Sequence, residues 1–251
     1  MFDKLRDLGF EVEFTSHAEA IILHDFPELV GELEGALEQT TIPITEIIGG
    51  GGGEAKVTQR LRRSLAAMDW TKHNFELKKT VDGVPKESIS HEIDHVRRGD
   101  SGVFALEIEW NNKDPFFDRD LENFQRLHAQ SAISVGILVT RGAALQSEMV
   151  KIVEWAVRSE GIEDAAALEG WGMKERTARQ QKMIAAALSA GLDFPSAFAR
   201  SFVSDKYGQA TTHWDKLDAR VRRGVGNPCP LLLVGLPLSA VEDYSAATPE
   251  L

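Results

Sequence analysis

The run Ile133-Ser134-Val135-Gly136-Ile137-Leu138-Val139-Thr140 constrains the fold more than any other stretch. It is apolar almost throughout and closed by Arg141-Gly142. Such a run reads as a buried central strand, not a half-solvated one. Leu231 to Leu236 repeats the pattern and predicts a last apolar strand. Upstream, residues 73–79, 88–97 and 103–110 read as three strands. Asp82-Gly83 turns between the first two and Gly99 to Gly102 between the next, which suits a meander. Helical spacing is expected over 17–39, 54–69, 117–131, 144–158 and 174–190. In the first of these, Ile21, Ile22, Leu29, Leu33 and Leu37 recur, and Pro27 sits near a break or a first turn. Residues 42–48 read as a short strand or an extended approach, and Gly49 to Gly53 as a flexible joint. Residues 161–226 look less regular, apart from 174–190. The spacing of Phe194, Phe198 and Phe202 by four marks core. The order of elements gives an α/β domain with a mixed central sheet flanked by helices.

Composition and charge narrow the function. Hydrophobic residues at 43% and charged residues at 27% exclude wholesale disorder. No stretch approaches the roughly 20 apolar residues of a membrane helix. The Met1-Phe2-Asp3-Lys4 start lacks a basic region ahead of an apolar core, so no secretory signal is expected. Cys229 alone can form neither an internal disulfide nor a thiolate zinc site. A cytoplasmic protein is expected. The net charge of −11 argues against a nucleic-acid partner until the charge is located. Residues 1–50 carry −9, 51–98 carry +3, 99–170 carry −7, and 171–226 carry +5. Two basic blocks therefore flank an acidic middle. That suits a metal-dependent nuclease, with cations for phosphates and carboxylates for the metal. The plain alternative is a chance distribution over a solvated surface.

Chemistry concentrates in Ser90-His91-Glu92-Ile93-Asp94-His95-Val96 and Phe104-Ala105-Leu106-Glu107-Ile108-Glu109-Trp110. Side chains alternate along a strand, so Glu107 and Glu109 point the same way. Asp94 lies opposite them if the two strands pair antiparallel. Three converging carboxylates cannot all stay ionised without a cation. A hard divalent ion with oxygen ligands, most commonly Mg²⁺, answers that need. The alternative keeps Leu106 and Ile108 inside and both glutamates in solvent.

An Asp on one strand followed by Glu-x-Lys, Glu-x-Glu or Glu-x-Gln on the next is the signature of the PD-(D/E)XK nucleases. Here Asp94 and Glu107-Ile108-Glu109 resemble that signature, and in detail the BamHI and BglII group of Type II restriction endonucleases. The Asn-containing loop, the helix with bulky residues from Phe116 to His128 and the strand ending in Arg141-Gly142 resemble the group too. So does the final Leu231–Leu236 strand. The resemblance covers about residues 49–160 and 203–240. It departs from the pattern in having no Pro before Asp94. It implies a restriction-endonuclease-like core over a single domain, 1–251. Residues 1–50 would be an acidic helical layer on the sheet away from DNA, and 161–226 a basic insertion with DNA-contacting loops.

The resemblance also implies roles. Asp94, Glu107 and the backbone carbonyl of Ile108 would hold Mg²⁺, with Mn²⁺ able to substitute. Glu109, where most relatives have Lys, would orient or deprotonate the attacking water. Glu76 would be a further acidic residue; its alternative is an exposed strand Glu beside Lys78. The partner implied is double-stranded DNA, cut by a homodimer in a short palindrome to leave 5′-phosphate ends. A palindrome of about six bases around a central GATC is one guess. A DNA methyltransferase in the host would protect it without being a physical partner.

Candidate DNA contacts are Asn111, Asn112 and Lys113, just past Glu109, and Lys206, Thr211, Thr212, His213, Lys216, Arg220 and Arg222 in the basic block. Other readings stay open. A repair or non-specific nuclease shares the same residues, and a non-catalytic DNA-binding protein shares the charge. His91-Glu92-Ile93-Asp94-His95 also fits a zinc-helix string, with both histidines on one face, although its neighbours read as strand.

Overall fold

The computed structural model describes residues 1–49, 53–171, 173 and 175–244. Gly50–Gly52 of the glycine run and Lys174 lie outside the described residues. In chain order the elements are α1 (Asp3–Asp7), β1 (Glu11–Thr15), α2 (Ala18–Asp25), α3 (Pro27–Glu38), β2 (Ile42–Pro43), α4 (Ile44–Ile48) and α5 (Lys56–Ala66). Then come β3 (Thr71–Val81), β4 (Val84–Arg98), β5 (Val103–Glu109), α6 (Phe116–Ala129), β6 (Val135–Arg141) and α7 (Ala143–Ser159). α8 (Ala165–Gly170), α9 (Ala178–Ser189), α10 (Phe194–Lys206), α11 (Trp214–Arg222), β7 (Leu231–Leu236) and β8 (Val241–Glu242) complete the chain.

A six-stranded mixed sheet runs in the order β1-β7-β6-β5-β4-β3. β3, β4 and β5 form the expected antiparallel meander, β5, β6 and β7 run parallel, and β1 closes the far edge antiparallel to β7. Asp82 and Gly83 both take positive φ, 52° and 78°, as a two-residue hairpin turn requires. β6 and β7 are buried along their whole length because helices cover both faces. On one face Phe104, Leu106, Val135, Ile137, Leu232 and Val234 meet the N-terminal helices, α7 and α10. On the other, Ala105, Leu138, Leu231 and Leu233 meet Phe117, Leu121, Phe124 and Leu127 of α6 and Leu217 of α11. Gly136 lets α6 sit this close, since a Cβ there would collide with the Phe124 ring.

Several expectations are corrected. The helix expected over 17–39 is two helices that break at Phe26, with Pro27 in the first turn of α3, where its missing N–H costs nothing. Residues 42–48 pair as a strand only over Ile42–Pro43 and then turn into α4. The stretch 161–226 is helical, not irregular: it holds α8 to α11. Along α10 the rings of Phe194, Phe198 and Phe202 stack at 6.3 and 5.5 Å inside the core, as their spacing implied. β1 escaped sequence reading altogether. It is a short, half-exposed edge strand whose place is set by its pairing with β7.

Candidate active site

β5 sends Leu106 and Ile108 into one core layer and turns Ala105, Glu107 and Glu109 toward α6. Glu107 and Glu109 are only 5% and 3% exposed, so neither lies on a solvent face. The backbone of Ile108 runs between them. β4 pairs with β5 so that His95 stands opposite Leu106. Asp94 is the next residue along, and its backbone N–H donates to Glu107 Oε1 at 3.4 Å.

A β-bulge places Asp94. Thr71 pairs with Val96 and His73 with Ile93, so Asp94 and His95 oppose Lys72 alone. Two residues against one break the alternation and re-aim the side chains. His91, before the bulge, faces Asn123 and Arg126 of α6. His95, within it, bonds through Nδ1 to the Leu106 carbonyl at 3.2 Å and feels the charge of Arg62 on α5. The two histidines therefore face opposite layers from a strand, which removes both their expected common face and the zinc-helix reading. Asp94 stays at the rim, 52% exposed, with Lys72 Nζ 3.1 Å from Oδ1.

α6 adds a buried carboxylate that sequence reading missed. Phe117, Asp120, Leu121, Phe124 and Leu127 share one buried stripe. An acid on an otherwise apolar stripe is the signal that could have found Asp120. Arg119 beside it reaches Asp120 Oδ1 at 2.7 Å and Glu109 Oε1 at 3.4 Å. Asn112 Nδ2 donates to Glu109 Oε2 at 2.6 Å. Among the described residues Asp120 Oδ2 has no hydrogen-bond partner, and the Asp120 and Glu109 carboxyls are close enough to interact directly.

The electrostatics follow from this crowding. Burial, then the charges of Asp120 and Asp94, push Glu107 up to about 9. Burial, then Asp120, push Glu109 up to about 8. Asp120 is raised as well, with burial as the main cause. Carboxylates so far above their ordinary range cluster at functional sites. Oxygen donors in excess of hydrogen-bond partners, one of them the unpaired Asp120 Oδ2, fit a hard divalent cation. Among the described residues, no three His, Cys, Asp or Glu side chains already stand in ligating arrangement. The acids here carry Lys72 and Arg119 instead.

The remaining sequence candidates divide. Glu76 pairs across from Ser90 and points away from the face of its neighbour Phe75, which packs with α6. It is exposed and bonded to Lys78 at 2.8 Å, which holds its carboxyl below the usual range. The structure does not bring Glu76 to the other acids. Asn111, Asn112 and Lys113 do lie beside the site, with Asn112 and Lys113 exposed, and Lys113 bridges to Thr211. Thr212 is buried and bonded both ways to the Asn112 backbone. His213 is fully buried, and among the described residues neither ring nitrogen has a hydrogen-bond partner. Lys206 turns inward to the carbonyls of Ile47 and Gly49 at 2.9 and 2.7 Å. Arg220 is buried against Asp118 and Asp114 at 2.9 and 3.2 Å. Lys216 is half-buried, and Arg222 is exposed beside Asp218.

Comparison with known proteins agrees with this geometry. No curated protein matches the chain. The family profile for the restriction endonuclease BglII/BglIII matches residues 10–236, from the edge strand β1 through the last residue of β7. A match that spans the whole sheet and every acid of the site decides the family: the chain belongs to the BglII/BglIII restriction endonucleases, and is thereby a Type II site-specific deoxyribonuclease.

Proposed function

We infer that the chain hydrolyses phosphodiesters in double-stranded DNA with a divalent cation, Mg²⁺ or in its place Mn²⁺, held by Asp94, Glu107 and the Ile108 carbonyl. The observation that carries this is the gathering of Glu107, Glu109 and Asp120, all buried, beside the rim residue Asp94. A bound divalent cation would neutralise a non-bridging oxygen and lower the pKa of water. The chain's own residues do the rest. Glu109 would take the proton of the attacking water: burial and Asp120 raise its proton affinity in the metal-free chain, and a bound cation beside it would favour the ionised form that a base requires. Asn112 fixes Glu109 Oε2, and Arg119 faces Oε1. α6 packs on the same face of the sheet, where Glu107 is buried.

Each chain offers one set of acids, which cuts one strand. A homodimer on a palindrome would cut both strands equivalently and leave 5′-phosphate ends. Asn111, Asn112 and Lys113 beside the acids, with the exposed side of Thr211, Lys216 and Arg222, are the surface proposed to meet DNA. Among the described residues no helix is long and apolar enough to cross a membrane. A cytoplasmic enzyme, and a host methyltransferase that protects the same site, complete the reading.

The test is plasmid and phage DNA incubated with protein, with Mg²⁺ or with EDTA, beside Asp94→Asn. Discrete fragments only with Mg²⁺, absent in the variant, support the reading. A smear favours a non-specific nuclease. Intact DNA on several unmethylated substrates overturns it.

A further inference from the structure

Arg141 ends β6, and its side chain is fully buried. Nη1 donates to the Trp110 carbonyl at 2.7 Å and to Asn111 Oδ1 at 3.0 Å. Nη2 donates to Thr211 Oγ1 at 2.8 Å, and Nε to Gln146 Oε1 at 3.0 Å. Gln146 in turn donates to the Tyr207 carbonyl at 2.8 Å. The guanidinium lies over the rings of Trp110 and Tyr207, 5.6 and 5.0 Å from their centroids. All four acceptors are neutral. Burying a cation on neutral acceptors alone costs stability that an apolar side chain of the same volume would not. What an apolar side chain cannot do is bond two chain segments at once.

Those two segments are the loop that leaves β5 and the stretch 207–213 between α10 and α11. They are clasped a second time. Thr212 N–H donates to the Asn112 carbonyl at 2.9 Å, and Asn112 N–H donates to Thr212 Oγ1 at 3.1 Å. Asp114 N–H donates to the Ala210 carbonyl at 3.0 Å. The residue held from both sides by Thr212 is the same Asn112 whose side chain bonds Glu109. A shift of residues 207–213 must therefore move Asn112, and with it the hydrogen bond that orients Glu109.

We propose that Arg141 and Thr212 are positioning residues that couple the 207–213 segment to Glu109 through Asn112, so that DNA pressed on that segment sets the catalytic carboxylate. The coupling rests on the nuclease reading above. Neither residue touches the reacting phosphate. Arg141 holds both segments against the end of β6, and Thr212 transmits the position of one to the other. Misplacing a catalytic group by about 1 Å can cost on the order of a hundredfold in rate, so a clasp of this kind has leverage.

Thr212→Val removes the hydroxyl acceptor and keeps the shape, while Thr212→Ser keeps the acceptor. The first readout needs neither DNA nor metal: amide hydrogen exchange at Asn112. Exchange should quicken about tenfold or more in Thr212→Val and stay at the wild-type rate in Thr212→Ser. The second is cleavage with Mg²⁺. Thr212→Val should lower kcat about tenfold or more, with KM within about threefold, and Thr212→Ser should restore it. Arg141→Lys, which keeps the charge but not the fork, should lower kcat as well. Thermal unfolding of each variant separates lost positioning from lost fold. Faster exchange with unchanged kcat overturns the coupling, and unchanged exchange overturns the clasp. A wild-type protein that cuts no DNA overturns the nuclease reading, while the exchange data still decide the clasp.

Discussion

Glu107→Gln should make the metal-free protein more stable while abolishing cleavage. Glu107 is buried, and its carboxyl is lifted from 4.5 to about 9 by burial and by the charges of Asp120 and Asp94. An acid whose native pKa is raised binds protons more tightly folded than unfolded. Its contribution to stability is thus whole below pH 4.5 and is lost as pH rises from there toward about 9. At pH 8 that loss spans three and a half decades of proton affinity, or about 5 kcal/mol at 1.36 kcal/mol per decade. Local relaxation and water entry bring an effective figure of about 2–4 kcal/mol. Glutamine has the same shape, still accepts the Asp94 N–H, and never ionises. For a chain of this length about 2–4 °C per kcal/mol predicts a gain of roughly 4–16 °C in Tm at pH 8 and almost none at pH 4.5. The assay is thermal unfolding by circular dichroism in EDTA at both pH values. Mg²⁺ should then raise the Tm of the wild type at pH 8 far more than that of the variant. Equal Tm values at pH 8, or a gain of the same size at both pH values, would refute the reasoning.

Three histidines should act in the opposite direction. Burial lowers the pKa of His91, His95 and His213 below 6.5, so their stabilising effect is whole above pH 6.5 and is lost as pH falls. His213→Leu should flatten the fall of Tm as pH drops below 6.5, read in the same unfolding scans. Asp120→Asn should slow cleavage about a hundredfold, whereas Glu76→Gln should leave it within about threefold, both measured at saturating DNA. Arg220→Met leaves Asp114 and Asp118 without their buried cation and should cost about 3 kcal/mol of stability, measured by urea unfolding, with DNA affinity nearly intact.

The sheet was largely legible because its strands carry their own signals. The unbroken runs of β6 and β7 and the Asp82-Gly83 turn each need only local sequence to be read. β1 was not legible, since five half-exposed residues find a place only against β7. α11 hid behind its basic composition, with Leu217 as its only fully buried apolar residue. Within the site, alternation was enough to pair Glu107 with Glu109. It could not foresee the bulge at Asp94 and His95, which depends on how β3 and β4 meet. Polarity misled at Lys206, Thr212 and Arg220, which read as surface contacts. Their partners, Ile47 and Gly49, Asn112, and Asp114 with Asp118, lie far away in the sequence.

α6 joins the stability of the fold to the chemistry of the site. Its buried stripe anchors Phe117, Leu121, Phe124 and Leu127 against the sheet, and Asp120 shares that stripe. The repulsion among Asp120, Glu107 and Glu109 cannot be relieved by a shift of the helix. A shift would expose the same aromatic and aliphatic groups that hold it, at roughly 25 cal/mol for each Å² of apolar surface. Close packing therefore keeps the acids together at the cost of ionisation, and raised proton affinity is the visible result. A divalent cation would relieve the same strain without moving any backbone. On this view the site is built first as a packing problem, and its affinity for cations follows from the rigidity of α6. Weakening that rigidity should lower cation affinity even where no acid is touched. Phe124→Leu, which loosens α6 over Gly136, is the change that isolates the effect. Its Mg²⁺ requirement for half-maximal cleavage should rise several-fold while Glu107, Glu109 and Asp120 are all retained.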